Sequence, residues 1–346
     1  MSQLHNRVDR RILKKRLEVN NSPRTTLSFY RYAKIGNVTL FRDHFYLLLS
    51  QVDTFGRIYV AHEGVNGQIS VPTERLDRFR SLMDEIIFLE GCRLNIAVED
   101  DGRSFYKLII KVKKKIVADG IEDESFDVTD NARHISASEY NQLTDGDNAV
   151  IIDMRNHYES EVGHFRGAIR PDVETFRESL PIVEDILSQN REKNVIMYCT
   201  GGIRCEKATA YFKHRGFDNL YQLDGGIIEY ARQAKAQGLD NKYIGKNFVF
   251  DDRLGERISD DIVSQCHQCG APCDDHTNCA NDACHILFIQ CDKCASQYEA
   301  TCSTKCRDFN QLPEEERQVL RKTEVFNGTK FGKGRYKAAR SDTSLE

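Results

Sequence analysis

Tyr198-Cys199-Thr200-Gly201-Gly202-Ile203-Arg204-Cys205-Glu206-Lys207-Ala208 decides how this chain is read. The apolar run Val195-Ile196-Met197-Tyr198 reads as a buried strand, and a helix is expected from near Cys205. A cysteine at that junction, followed by two glycines, is a device for making a reactive thiolate. Gly201 and Gly202 let the backbone curl so that successive N–H groups converge on the sulfur at the positive end of the next helix. A free thiol has a pKa of about 8.5, and such surroundings lower it by one to several units. Arg204 adds a permanent charge and a planar donor fork at the far end of the loop. The competing reading, a buried structural cysteine, needs neither the strand nor the glycine pair.

The surrounding stretches resemble the rhodanese fold. Ile151-Ile152-Asp153-Met154-Arg155, Glu159 and Gly163-His164-Phe165-Arg166-Gly167-Ala168 look like its first strand and Gly-His-x-x-Gly-Ala turn. Gly216-Phe217, Leu220-Tyr221 and Leu223-Asp224-Gly225-Gly226 look like its last strand and closing helix. The resemblance implies a doubly wound parallel sheet, with Cys199 as the catalytic cysteine and Thr200, Gly201, Gly202, Ile203 and Arg204 as the active-site loop. In that family the cysteine carries sulfur as a persulfide. The related phosphatases use a loop one residue longer, so phosphate-ester hydrolysis is the weaker reading. Cys205 stands where a small residue is usual: it either resolves an oxidised Cys199 or simply packs. Tyr230, where tryptophan is common, reads as a packing variation.

At 346 residues the chain has room for two or three domains, and its net charge of −4 makes no global case for a polyanion partner. The local distribution does. Arg7, Arg10, Arg11, Lys14, Lys15 and Arg16 crowd the N-terminus, while Lys111, Lys113, Lys114 and Lys115 form a run. Lys330, Lys333, Arg335, Lys337 and Arg340 mark the tail, interleaved with Phe331 and Tyr336. Lys111, Lys113, Lys114, Lys115, Lys330, Lys333, Arg335 and Lys337 are the candidate RNA contacts; the alternative is solvated faces and arms. No apolar run approaches the roughly 18 residues needed to span a membrane, and no secretory signal is visible. A cytoplasmic location is expected, where twelve cysteines serve as metal ligands and catalytic thiols rather than disulfides.

Residues 1–24 read as a basic arm and 25–117 as a separate α+β unit. Its order is strand (Leu27 to Ala33), helix (Val38 to Gln51), strand (Arg57 to Ala61), strand (Gln68 to Val71), helix (Thr73 to about Leu89) and strand (Arg93 to Val98). That order is ferredoxin-like. His62, Glu63 and Asn66 either line a site or form a polar turn between paired strands. Residues 118–133 are read as a linker, 134–240 as the rhodanese domain, 241–262 as a second linker, 263–309 as a cysteine-rich domain and 310–346 as a helix and basic tail.

In the cysteine-rich segment four short-spaced pairs fall within about forty residues, a strong structural-zinc pattern. Alternating pairs suggest two sites: Cys266, Cys269, Cys291 and Cys294 in one, Cys279, Cys284, Cys302 and Cys306 in the other. Cys273, His276 and His285 are spare ligands, and an iron–sulfur cluster is the competing reading. One or two structural zinc ions are expected.

The combination, with Glu63-Gly64-Val65-Asn66-Gly67 and Pro272-Cys273-Asp274-Asp275-His276-Thr277-Asn278-Cys279, resembles the bacterial oxygen-dependent tRNA uridine hydroxylases over nearly the whole chain. The resemblance implies conversion of the wobble uridine, in the tRNA anticodon loop, to 5-hydroxyuridine, with O2 as co-substrate and an unidentified reductant. No flavin motif or non-haem iron triad is visible, so no organic cofactor is expected. The alternative within the same fold is a sulfurtransferase passing a persulfide to a small-molecule, protein or RNA acceptor.

Overall fold

The computed structural model describes residues 4, 8–19, 22–123, 125–328 and 335–337. These fall into two compact units, one formed mainly by the chain up to residue 258 and the other mainly by the chain from residue 259 onward.

The first unit begins with helix α1 (Arg10–Val19), followed by β1 (Arg24–Tyr32), α2 (Val38–Ser50), β2 (Phe55–Ala61), β3 (Gly64–Pro72), α3 (Leu76–Asp84), β4 (Asn95–Ile96) and β5 (Leu108–Val112). The sheet runs β4-β1-β3-β2-β5, antiparallel throughout except where β5 lies parallel to β2. Its first four strands have the ferredoxin-like order. Period-two alternation sorts β1 between two faces. Leu27 and Phe29 turn into a core with Phe45, Leu49, Phe79 and Leu82 from the two helices, leaving Ser28, Tyr30 and Tyr32 on the opposite face. Asn37 starts α2 by accepting the Leu40 N–H at 3.0 Å.

Three details differ from the sequence expectation. The helix expected over 73–89 is broken into 3₁₀ turns at Thr73–Arg75 and Ile87–Leu89 flanking α3, and the return strand shrinks to Asn95–Ile96. The third is β5, which was not expected. Leu108 and Ile110 bury beside β2, so the lysine run starts on an edge strand.

The chain continues through β6 (Arg133–Ile135), α4 (Ala137–Thr144), β7 (Ala149–Asp153), α5 (His157–Ser160), β8 (Gly163–Phe165, whose first two residues group with the second unit), α6 (Phe176–Gln189), β9 (Asn194–Tyr198), α7 (Ile203–His214), β10 (Leu220–Leu223) and α8 (Gly226–Gln237). Strands β6-β10-β9-β7 form a parallel sheet. Alternate residues of β9 enter separate cores. Val195 and Met197 pack with Leu180, Val183 and Phe212 on one face; Ile196 and Tyr198 pack with Tyr140, Ile227 and Tyr230 on the other. Apolar residues at every position of a strand covered on both faces are what a doubly wound sheet requires. Tyr230 fills this core, and its hydroxyl donates to Asn141 Oδ1 at 2.8 Å.

Both segments read as linkers are built into the structure. In 118–133, Asp119 is fully buried and Ile121 joins the core. In 241–262 lie β11 (Tyr243–Asn247) and β12 (Glu256–Arg257), with Tyr243 and Phe248 buried. In the second unit β13 (His276–Asn278) and β14 (Leu287–Ile289) form an antiparallel pair, followed by α9 (Asp292–Gln297), α10 (Thr304–Gln311) and α11 (Glu314–Leu320).

Candidate active site and metal centres

Cys199 follows the last residue of β9, and α7 starts four residues later, so the loop lies at the carboxyl end of the parallel sheet. Two backbone contacts fix its shape. Ile227 N–H donates to the Cys199 carbonyl at 3.0 Å and Ile228 N–H to that of Thr200 at 3.3 Å, tying the loop to the start of α8. A side chain at Gly226 would place Cβ 2.4 Å from the Cys199 carbonyl oxygen, so this approach needs glycine. Gly202, at φ +102°, caps α7 and aims its N–H at Cys199 Sγ, 3.2 Å away.

Cys199 is buried, 1 % exposed as a residue. Burial pushes its pKa up, but a hydrogen bond from Cys205, the Arg204 charge and the backbone N–H groups of Arg204 and Cys205 together outweigh it and hold the thiol at about 5. The Cys205 thiol moves the opposite way, pushed well above its ordinary value by burial and by donating to Cys199. At neutral pH the pair is thiolate and thiol.

Arg204 contributes charge rather than a free donor fork. Its two terminal nitrogens bind Glu159 at 2.6 and 2.7 Å in a buried bidentate pair. Lys207, one turn on, is also enclosed: Nζ binds Glu63 at 2.5 Å and Asp119 at 3.5 Å, with the Tyr32 and Phe126 rings 5.5 Å away. Glu63 also accepts the Ile116 N–H, Asn66 donates to the Ile116 carbonyl and His62 Nδ1 meets the Ile35 carbonyl. Glu63 is thus tied to α7 and to the Ile116 backbone, while His62 and Asn66, the latter on β3, meet backbone carbonyls.

The polar face of the N-terminal sheet meets this loop. Tyr32 hydroxyl donates to the Ile203 carbonyl and Tyr30 hydroxyl to Glu206, each at 3.2 Å; Asn95 Nδ2 donates to the Gly201 carbonyl at 3.3 Å. Asn131 and Gln222 also bind Glu206, at 2.9 and 3.0 Å. None of these neighbours was singled out in the sequence. The available signal was the alternation of Ser28, Tyr30 and Tyr32 against Leu27 and Phe29, which leaves a polar, aromatic face with nothing in the sequence to say what covers it.

Of the candidate RNA contacts, Lys111, Lys113 and Lys114 are exposed, with Lys113 Nζ 5.5 Å from the Tyr59 ring centre. Lys115 is occupied, binding Asp119 at 2.9 Å. Arg335 and Lys337 are exposed, whereas Tyr336 stacks on Phe288 and His267; Lys330 and Lys333 lie outside the described residues.

In the second unit the structure gathers Cys266, Cys269, Cys291 and Cys294 into one group and Cys279, Cys284, Cys302 and Cys306 into another, the sulfurs of each within 4.8 Å of one another. Three Sγ···Sγ distances, Cys269–Cys291, Cys284–Cys302 and Cys302–Cys306, are 3.7 Å. Four thiolates at about 2.3 Å from a tetrahedral ion sit about 3.8 Å apart, so both groups fit one. Donors already point at the sulfurs: Cys291 N–H to Cys266 at 3.4 Å, Cys302 N–H to Cys279 and Gly328 N–H to Cys284 at 3.3 Å. Cys273, His276 and His285 belong to neither group. Among the described residues no helix is long and apolar enough to cross a membrane.

Known proteins resemble this chain along almost its whole length. It is 54 % identical over 336 residues to a tRNA uridine(34) hydroxylase of Pectobacterium atrosepticum, covering 95 % of each protein. The chain belongs to the tRNA uridine(34) hydroxylase family. Hydroxylases of that name from Photorhabdus laumondii (51 % over 339 residues, 97 % of this chain and 96 % of the relative) and Yersinia pestis (53 % over 332 residues, 96 % and 93 %) agree. The family's three parts match separately: a UPF0176 acylphosphatase-like domain at 24–116, a rhodanese-like domain at 136–233 and a rhodanese C-terminal segment at 244–307. The acylphosphatase-like match coincides with the ferredoxin-like sheet, and the third contains both cysteine groups.

Proposed function

We propose that this enzyme hydroxylates uridine 34 of tRNA at C5, with Cys199 as its nucleophile. The observation that carries the activity is identity above 50 % with tRNA uridine(34) hydroxylases across some 95 % of the chain. Support for the role of Cys199 comes from the thiol held at about 5, which supplies a nucleophile without a separate base.

C5 of uracil becomes electron-rich once a nucleophile adds at C6. The Cys199 sulfur forms a bond to C6, and the C5=C6 electron pair moves through C5 onto O4. The enolate passes electrons to O2, forming a C5–O bond, and protonation gives a C5 hydroperoxide. Two thiols of an external reductant break the O–O bond, leaving a C5 hydroxyl, one water and a disulfide. Loss of the C5 proton then expels Cys199 and restores the double bond. The sum is uridine, O2 and two thiols giving 5-hydroxyuridine, water and a disulfide. An anticodon loop presents single-stranded bases that can be splayed out for such chemistry. The exposed Lys111, Lys113 and Lys114 are suited to its phosphates, with Arg335 and Lys337 as further candidates. Zinc is the ion we assign to the two thiolate groups, with a structural role.

The test is nucleoside mass spectrometry on unmodified tRNA incubated with dithiol and wild-type or Cys199→Ala protein, in air and under nitrogen. The expected result is 5-hydroxyuridine only with oxygen and an intact Cys199. Its absence under every reductant, with sulfur transfer from thiosulfate instead, overturns the assignment.

A further inference from the structure

The face of the N-terminal sheet that meets the loop carries a side chain with an unmet hydrogen bond. Asn95 stands across from Ser28 in the β1–β4 pairing and is 3 % exposed. Its Nδ2 donates to the Gly201 carbonyl at 3.3 Å, but Oδ1 is buried with no partner among the described residues. Flipping the amide does not help, because it would set Oδ1 against the Gly201 carbonyl, acceptor against acceptor. Next in the chain to Gly201, and adjoining Cys199, Thr200 Oγ1 is likewise buried without a partner. Buried polar atoms are nearly always satisfied, and one orphan on a side chain bonded to the loop and another on the loop itself call for a reason.

We propose that Asn95 reads the target base, its amide pairing with the imide edge of uracil through N3–H to Oδ1 and the second Nδ2–H to O4, while the first Nδ2–H keeps the contact with Gly201 that fixes the amide's orientation. The inference deepens the proposed hydroxylase function and rests on it. Uracil offers a donor, N3–H, beside an acceptor, O4, and an amide held in one orientation offers the complement. Cytosine offers an acceptor at N3 and a donor at N4, so the same amide meets like with like. The contact also serves the chemistry. Charge pushed from the sulfur into the ring ends on O4, where the Nδ2–H bond strengthens as the enolate forms. Arg204 is not free to take that role, because Glu159 holds both of its terminal nitrogens. Since Cys199 is 1 % exposed, a base reaches it only by displacing part of its cover.

The experiment compares full-length wild type, Asn95→Ala and Asn95→Asp on anticodon stem-loops carrying uridine or 3-methyluridine at position 34. Thermal melting and Cys199 alkylation are followed in parallel. Asn95→Ala is expected to lower kcat/KM on uridine about 10- to 100-fold. N3-methylation is expected to cost wild type a similar factor and Asn95→Ala little more, since the contact it blocks is already gone. Asn95→Asp, nearly isosteric, keeps the acceptor and loses the donor, so it should lose turnover while keeping the methylation penalty; it decides the matter should the alanine variant melt early. Uridine turnover within twofold of wild type, or an undiminished methylation penalty in Asn95→Ala, overturns the role of Asn95 while leaving the hydroxylase intact. Failure of wild type itself on uridine overturns both.

Discussion

Cys205→Ala removes a donor that holds the Cys199 thiol down against burial. A hydrogen bond to a charged group contributes about 1.5–3 kcal/mol. At about 1.4 kcal/mol per pKa unit, its loss should raise Cys199 by about one to two units, from about 5 to between roughly 6 and 7. At pH 6 the thiolate fraction then falls from about nine-tenths to between about one-half and one-tenth. The assay is the rate of iodoacetamide alkylation at Cys199, read by peptide mass spectrometry over about pH 4 to 9 so that the clustered cysteines of the second unit are counted separately. Cys205→Ser, which keeps a donor at the same place, should stay near wild type. The sign for stability follows from the same shift. A pKa lowered on folding means that the thiolate stabilises the native state above the unfolded value, and that this contribution is lost as pH falls through about 5. In Cys205→Ala the contribution should therefore be smaller, and its loss, which begins at the same unfolded value, should be complete at a higher pH. A wild-type midpoint in Cys205→Ala, or a wild-type midpoint near 8.5, refutes the cradle argument.

Arg204→Met leaves Glu159 buried without its cation, and breaking such a pair costs about 3–5 kcal/mol, so its thermal midpoint should fall well below that of Cys205→Ala. Replacing Lys111, Lys113 and Lys114 together by alanine should weaken tRNA binding and flatten its dependence on salt by up to about two to three in slope, measured by filter binding; an unchanged slope removes this edge from the RNA surface. Displacing metal with a mercurial reagent and a colorimetric chelator should release two zinc ions per wild-type chain and one from Cys279→Ala, with loss of helical circular dichroism as the second unit loses its ions.

The loop was legible because its chemistry is local: strand, cysteine, glycines and helix lie within a dozen residues, and the backbone they demand is the backbone that forms. The cysteine groups were legible for a related reason, since short pairs bring two ligands together from a single turn. What surrounds the loop was not, because it depends on long-range pairing. Glu159 binds Arg204 from 45 residues away, so that the donor fork expected at the end of the loop is already occupied and the residue contributes its charge. Asp119, read as part of an acidic linker, is buried as a partner of Lys115 and Lys207. The N-terminal sheet is the largest such case. Seen alone, the alternation of β1 leaves a polar, aromatic face with no stated partner. In the structure that face lies on the loop, with Tyr30, Tyr32 and Asn95 bonded to Glu206, Ile203 and Gly201. In the proposed mechanism a low-dielectric enclosure would strengthen the contacts that tell uracil from cytosine and those that hold the charge on O4. The acylphosphatase-like sheet and the rhodanese loop are therefore better understood as two halves of one site than as a catalyst with an RNA-binding appendage.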